Sequence, residues 1–317
     1  MFTRRLAICL ASSCFISAPA SAQTPGAAEL AFYSNATRSV AAGFKRIYCP
    51  PQPPPIRQIC EQTPISVTST WGIGAYAYNR AGRDRIMITA GFGAMFDMVH
   101  TAQMASFEIT GKGDCVEHWA RRYFTVLMDN TSRSSRGLPP LTVPGISGYA
   151  PSDPACRGIT PARVLAVARE NGEFHALAVE AGLAFFLLHE LGHVVHGHPA
   201  IHDPSLRHSR EDETEADDFV VPAAARAGQS LALSLAPIFL MVTQGDSLQW
   251  EEQSTHPLGV RRAIRLFRQF QQSYLTSPEL RRVLTEQQRG ETVRLLQQYI
   301  DVLQPCLAAI DAGRQCA

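Results

Sequence analysis

Two histidines four residues apart flank a glutamate in the run His189-Glu190-Leu191-Gly192-His193. On a helix such residues project from one face, so two imidazole nitrogens can meet one zinc ion. Glu190 stands about 100° around the same helix. From there its carboxylate can take a proton from an attacking water without being a ligand, then return it to a leaving amine. The chemistry would be hydrolysis at a carbonyl carbon. The motif alone does not establish it, because any amphipathic helix can place polar residues in this order.

Two histidines leave zinc short of a third protein ligand. A metzincin would place a histidine ten residues after the first, but Pro199 stands there and excludes that class. Downstream, Ser209-Arg210-Glu211-Asp212-Glu213-Thr214-Glu215-Ala216-Asp217 is an acidic run with two readings. It can be a solvated charged helix face. It can also be a ligand helix, offering Glu213 to the metal and Asp217, one turn on, to orient a liganding histidine. His196 shares the face of His189 and His193 and reads as solvent-facing or supporting, not as a fourth ligand. His198 follows Gly197, a helix end, and receives no chemical role. His202 and His208 read as loop residues.

These residues resemble a known family, the gluzincin metallopeptidases that include the HtpX-like proteases, the CAAX prenyl endopeptidases and periplasmic proteases of outer-membrane quality control. The family pattern is HExxH followed by a helix bearing ExxAD. Here HELGH is followed by Glu213-Thr214-Glu215-Ala216-Asp217 in the same register. Ser254-Thr255-His256-Pro257 and then Arg262 resemble the downstream THP segment, and Gly74 to Ala77 and Ile86 to Gly91 resemble the paired strands. The resemblance covers mainly residues 65 to 100 and 180 to 265. It departs from the family in the long stretch between Gly91 and the catalytic helix and in lacking obvious membrane spans.

The resemblance implies a zincin-like domain binding one zinc ion, with Glu213 as third ligand and Asp217 as the carboxylate behind a liganding histidine. It further implies that His256 or Arg262 stabilises the tetrahedral oxyanion. Read as residues alone, Asp217 could only cap a helix or pair with an arginine, and His256 could only fix a turn before Pro257. The function so implied is a zinc-dependent endopeptidase with Glu190 as general base, acting on protein or peptide substrates, envelope or misfolded proteins among them. An extended substrate would add to the edge of the small sheet. Two other classes stay open: an envelope chaperone or assembly factor on the same scaffold, and a zinc hydrolase for a non-peptide amide.

The surrounding chain must position these groups. Arg4 and Arg5, the apolar run Leu6 to Ala18 and Ala20-Ser21-Ala22 read as a signal peptide cleaved near Ala22, which predicts a periplasmic or secreted protein. Export leaves six cysteines, and short loops favour pairing Cys49 with Cys60, Cys115 with Cys156, and Cys306 with Cys316. Without Arg4 and Arg5, 27 basic residues face 28 acidic ones, and no basic patch suggests nucleic acid. Peripheral association with the envelope is compatible with this balance, and nothing in the sequence sets an oligomeric state.

The expected fold is α+β and mostly helical, with a small sheet beside the active-site helix. Helices are predicted at Ala27 to Tyr48, Ala90 to Met104, Val116 to Met128, Pro161 to Glu170, Phe174 to His196 and after Ser277-Pro278. Strands are predicted at Ile65 to Ser69, Gly74 to Tyr78 and Arg85 to Thr89. Cys49 to Cys60 reads as a proline-rich loop, and Asn130 to Gly158 as a long loop that could act as a lid. Phe174 to His196 is apolar enough to raise a membrane span, but Glu180 and the histidines favour a buried core helix. Phe219 to Val242 raises the same question, strongly apolar from Leu231 on, but Arg226 and Gln229 keep the full span too polar for it. The domain plan is a signal peptide at 1–22, an N-terminal helix and disulfide loop at 23–64, a catalytic domain at 65–270 with an insertion at about 92–175, and a helical region at 271–317 packed on it.

Overall fold

Apolar residues recur at three- and four-residue intervals through Tyr33, Ala36, Val40, Phe44 and Tyr48, and this spacing makes helix α1, Ala27–Tyr48, with that stripe buried. A computed structural model of the chain describes residues 27–111, 115–143, 156–198, 206–232 and 259–314. The expected signal peptide, His202, His256, Cys316 and most of the apolar segment 231–242 lie outside the described residues.

Helix α1 is followed by a second helix, α2, Pro54–Gln62, where a loop was expected. The prolines do not forbid it. Pro53 is the cap and Pro54 opens the first turn, where a missing N–H costs nothing because no carbonyl precedes it to be bonded. The Cys49–Cys60 bridge, with Cα atoms 5.5 Å apart, ties α2 to the end of α1.

The sheet has three strands in the order β1-β3-β2: β1 is Ile65–Thr68, β2 is Ala75–Arg80 and β3 is Arg83–Thr89. Strand β3 is central, parallel to β1 with Ile65 opposite Ile86, and antiparallel to β2 with Ala77 opposite Ile86. The β2–β3 hairpin closes through Ala81 and Gly82, both at positive φ, the conformation of a two-residue turn matched to strand twist. Ile86 and Ile88 are fully buried, which pins the register.

Strand β3 runs directly into α3, Ala90–Thr110. Helix α4, Cys115–Ser135, extends one and a half turns or more beyond the helix expected there and takes in the start of the expected loop. The extension holds because its polar residues find partners. The Asn130 amide exchanges hydrogen bonds with the Leu141 backbone, and the Thr131 hydroxyl accepts from Ile73 N at 2.8 Å. Cys115 and Cys156 are bridged, with Cα atoms 5.4 Å apart.

Helix α5, Pro161–Glu170, is capped by Thr160 and leads into α6, Gly172–His196. The segment Ala176–His196 is long and apolar enough to cross a membrane, yet two-thirds of its most apolar stretch is buried within the protein. Val179, Leu183, Phe185, Leu188 and Leu191 meet α1, α3, α7 and the sheet. It is therefore a core helix in this fold, as its charged and histidine content led one to expect. Helix α7, Leu206–Arg226, crosses it, and α8, Gly259–Thr276, packs on α7. His208, expected in a loop, is an exposed residue of α7. Helix α9, Pro278–Val283, starts at the predicted Ser277 cap, and α10, Glu286–Asp311, packs on α8 through Leu296, Ile300 and Leu303. The fold is α+β and mostly helical, with the small sheet against α6.

Candidate metal and catalytic site

Helix α6 presents His189, Glu190 and His193, α7 presents Glu213 and Asp217, α8 presents Arg262 and Arg265, and β2 contributes a backbone N–H. The approach of α6 to α7 depends on Gly192. A Cβ there would lie 2.9 Å from the Ala216 carbonyl oxygen and 3.0 Å from its Cα, closer than backbone atoms tolerate. The two helices therefore meet backbone to backbone, which brings the short Glu213 carboxylate up to both histidines.

His189 Nε2 is 3.2 Å from His193 Nε2 and 3.2 Å from Glu213 Oε2, and His193 Nε2 is 3.4 Å from Glu213 Oε1. Four bonds of zinc's ordinary length, arranged tetrahedrally, put neighbouring donors about 3.4 Å apart. The three side chains therefore fit a zinc ion in both donor type and spacing. Among the described residues they are the one group of three that could hold a metal.

Behind His189 lies a carboxylate. Asp217 is fully buried, and its Oδ1 is 3.0 Å from His189 Nδ1. Arg262 donates to it from Nε at 2.7 Å and Nη2 at 2.8 Å, and Arg265 from Nη2 at 3.1 Å. Burial alone would push the His189 imidazole down, but the Asp217 and Glu213 carboxylates outweigh it and hold it up at about 10. In the same way burial pushes Asp217 up, and the Arg262 guanidinium with His189 brings it down to about 2. Arg262 Nη1 also comes within 3.9 Å of Glu213 Oε2, so the guanidinium reaches the site from the Asp217 side.

Glu190 is nearly buried, which raises its carboxyl above the ordinary range, with the Glu213 charge adding to the rise. Ala77 N–H on β2 donates to Glu190 Oε2 at 2.5 Å. No residue type encodes this contact, since the donor is main chain. It follows from β2 having β3 on one side only, with the Ala77 N–H turned outward.

His198, left without a role by sequence reasoning, has its Nδ1 2.9 Å from His193 Nδ1. Its signal was the pairing of His193 with a histidine just past the Gly197 helix end. His196 is exposed, as expected, and its ring stacks on that of His198. His256 lies outside the described residues, as does the partner expected for Cys306.

Residues 163–276 match the family described as Peptidase U49, a stretch that runs from α5 to the end of α8 and contains His189, Glu190, His193, Glu213, Asp217 and Arg262 but not Ala77. This match supports a peptidase and hence a protein substrate. No curated protein and no solved structure matches the chain.

Proposed function

We propose that this chain is a zinc-dependent endopeptidase of the gluzincin type, its metal held by His189, His193 and Glu213. The observation that carries the reading is the convergence of those three side chains at zinc-like spacing with Glu190 beside them. A zinc ion held there supplies Lewis acidity, polarising the scissile carbonyl and making a water easier to deprotonate.

The remaining chemistry belongs to the chain. Glu190, its Oε2 fixed by Ala77 N–H, takes the proton of the attacking water and delivers it to the leaving amine. Burial raises that carboxyl, which makes it a stronger base toward the water's proton. The outer edge of β2 runs past this carboxylate, so an extended peptide pairing along that edge would bring its backbone to Glu190. Arg262 we assign to Asp217, and through it to the orientation of His189.

Compartment and substrate class complete the proposal. Two bridges in a chain with a signal-like N-terminus favour the periplasm or the exterior, and unfolded envelope proteins as substrates. A mature protein beginning at Gln23 is expected by mass spectrometry, and retention of Met1 in the exported fraction would contradict it.

The activity is tested by incubating the purified protein with a peptide library and reading cleavage by mass spectrometry. Cleavage lost on chelation and restored by zinc is expected. Its absence, with unfolded outer-membrane proteins bound but intact, would favour the chaperone reading.

A further inference from the structure

The first metal-binding histidine is oriented by a carboxylate, whereas among the described residues the second has an imidazole behind it. His193 Nε2 faces His189 and Glu213, so its Nδ1 faces away, toward His198 Nδ1 at 2.9 Å. We propose that His198 is a positioning residue for metal binding: it accepts the His193 Nδ1 proton, and Glu215 and Asp212 hold it in the tautomer that can. This rests on the reading that His189, His193 and Glu213 hold zinc.

The proton positions follow from the distances. An imidazole that binds a cation through Nε2 carries its proton on Nδ1. Two ring nitrogens at hydrogen-bond distance share one proton, so His198 Nδ1 is the acceptor and the His198 proton sits on Nε2. That nitrogen is 3.1 Å from Glu215 Oε2 and 3.7 Å from Asp212 Oδ1, both acceptors. The chain of bonds therefore runs in one direction, from His193 through His198 to the Glu215 carboxylate of α7, with the Asp212 charge alongside. The His198 side chain is only 7% exposed, with the His196 ring parallel to it at 5.5 Å, so water does not readily replace it.

The local fold explains why residue 198 meets residue 193. Gly197, at φ 69°, ends α6 in the left-handed conformation. Gly197 N–H donates to Val194 O at 3.2 Å and His198 N–H to His193 O at 3.0 Å. These two bonds define a Schellman helix end, which folds the second residue past the helix back over the residue five before it. In such ends an apolar pair frequently makes that contact. Here both members are imidazoles, and the inner one belongs to the metal site.

Zinc affinity by chelator competition and the visible spectrum of the cobalt-substituted protein test this on the full chain. His198→Ala is expected to weaken zinc binding about 10- to 100-fold, the usual effect of losing a group behind a metal ligand, and to change the cobalt spectrum. His198→Asn puts an oxygen acceptor where Nδ1 stood, and is expected to recover most of the affinity. Wild-type affinity and spectrum in His198→Ala would overturn the proposal, as would equal losses in the alanine and asparagine variants, which would mark a merely structural role. Wild-type protein that binds no zinc would overturn the metal-site reading and this inference together. Zinc binding that falls in His193→Ala but not in His198→Ala would overturn this inference alone.

Discussion

Replacing Asp217 by alanine would take from the Arg262 guanidinium both of its carboxylate hydrogen bonds and leave it only the more distant Glu213 carboxylate, 3.9 Å away, among the described contacts. In the native site the Asp217 carboxylate takes two N–H groups of Arg262, at 2.7 and 2.8 Å, and one of Arg265 at 3.1 Å, while His189 Nδ1 lies 3.0 Å away. Its carboxyl is held at about 2 against an ordinary 3.8, chiefly because Arg262 and His189 overcome the upward push of burial. The stabilisation from this carboxylate is therefore present above pH 3.8 and is lost only as pH falls through about 2. Arg265 is partly exposed and can turn to water, but the Arg262 side chain is only 15% exposed and cannot. Removing one partner of a buried ion pair costs roughly 3–5 kcal/mol, most of it the uncompensated charge. At about 2–4 °C per kcal/mol for larger domains, the Tm of the metal-free protein should fall by roughly 6–20 °C at pH 7. The double variant Asp217→Leu/Arg262→Met removes both charges and should recover most of that loss, since apolar side chains replace a buried pair at little cost. Thermal unfolding followed by circular dichroism reads both. A loss below about 1 kcal/mol in Asp217→Ala, or a double variant no more stable than the single one, would refute the claim that Arg262 depends on Asp217.

Two further outcomes follow from the same geometry. Burial raises the Glu190 carboxyl, so in the metal-free protein its contribution to stability is intact below the ordinary value of 4.5 and is lost as pH rises through its folded value. Metal-free Glu190→Gln should thus melt above wild type at pH 8, with the gap closing as pH falls below that ordinary value; a gap constant with pH would contradict the burial argument. Gly192→Ala should force α6 from α7 at Ala216, costing about 1–3 kcal/mol as an overpacked contact and weakening zinc binding, both measurable by calorimetry. Unchanged zinc affinity would mean that Glu213 does not depend on this approach.

The site was legible where chemistry fixes residue type. His189, Glu190 and His193 advertise themselves by helical spacing, and Glu213 with Asp217 by their one-turn separation. What escaped was encoded in backbone geometry. The Ala77 N–H belongs to no particular side chain, and its use depends on β2 lying at the sheet edge. His198 needed the Schellman turn at Gly197 to come back over His193, a contact five residues apart that simple helical periodicity does not place. The fold shows the same division. The helices expected at α1, α5 and α6 match closely, and β-branched runs marked the three strands. The α2 helix was missed because prolines that break a helix interior also start one. The last turns of α4 were missed because Asn130 and Thr131 find partners at Leu141 and Ile73 that local sequence does not reveal.

The most direct test of the proposed chemistry is Glu190→Gln, with zinc content and peptide cleavage measured on the same sample. Glu190 is not among the three side chains at zinc-like spacing, so the variant should retain one zinc per chain while cleavage falls by about 10²- to 10⁴-fold, the usual worth of a positioned acid–base group. Full cleavage with zinc retained, or loss of the zinc itself, would contradict the assignment of Glu190 as the base beside a metal held by His189, His193 and Glu213.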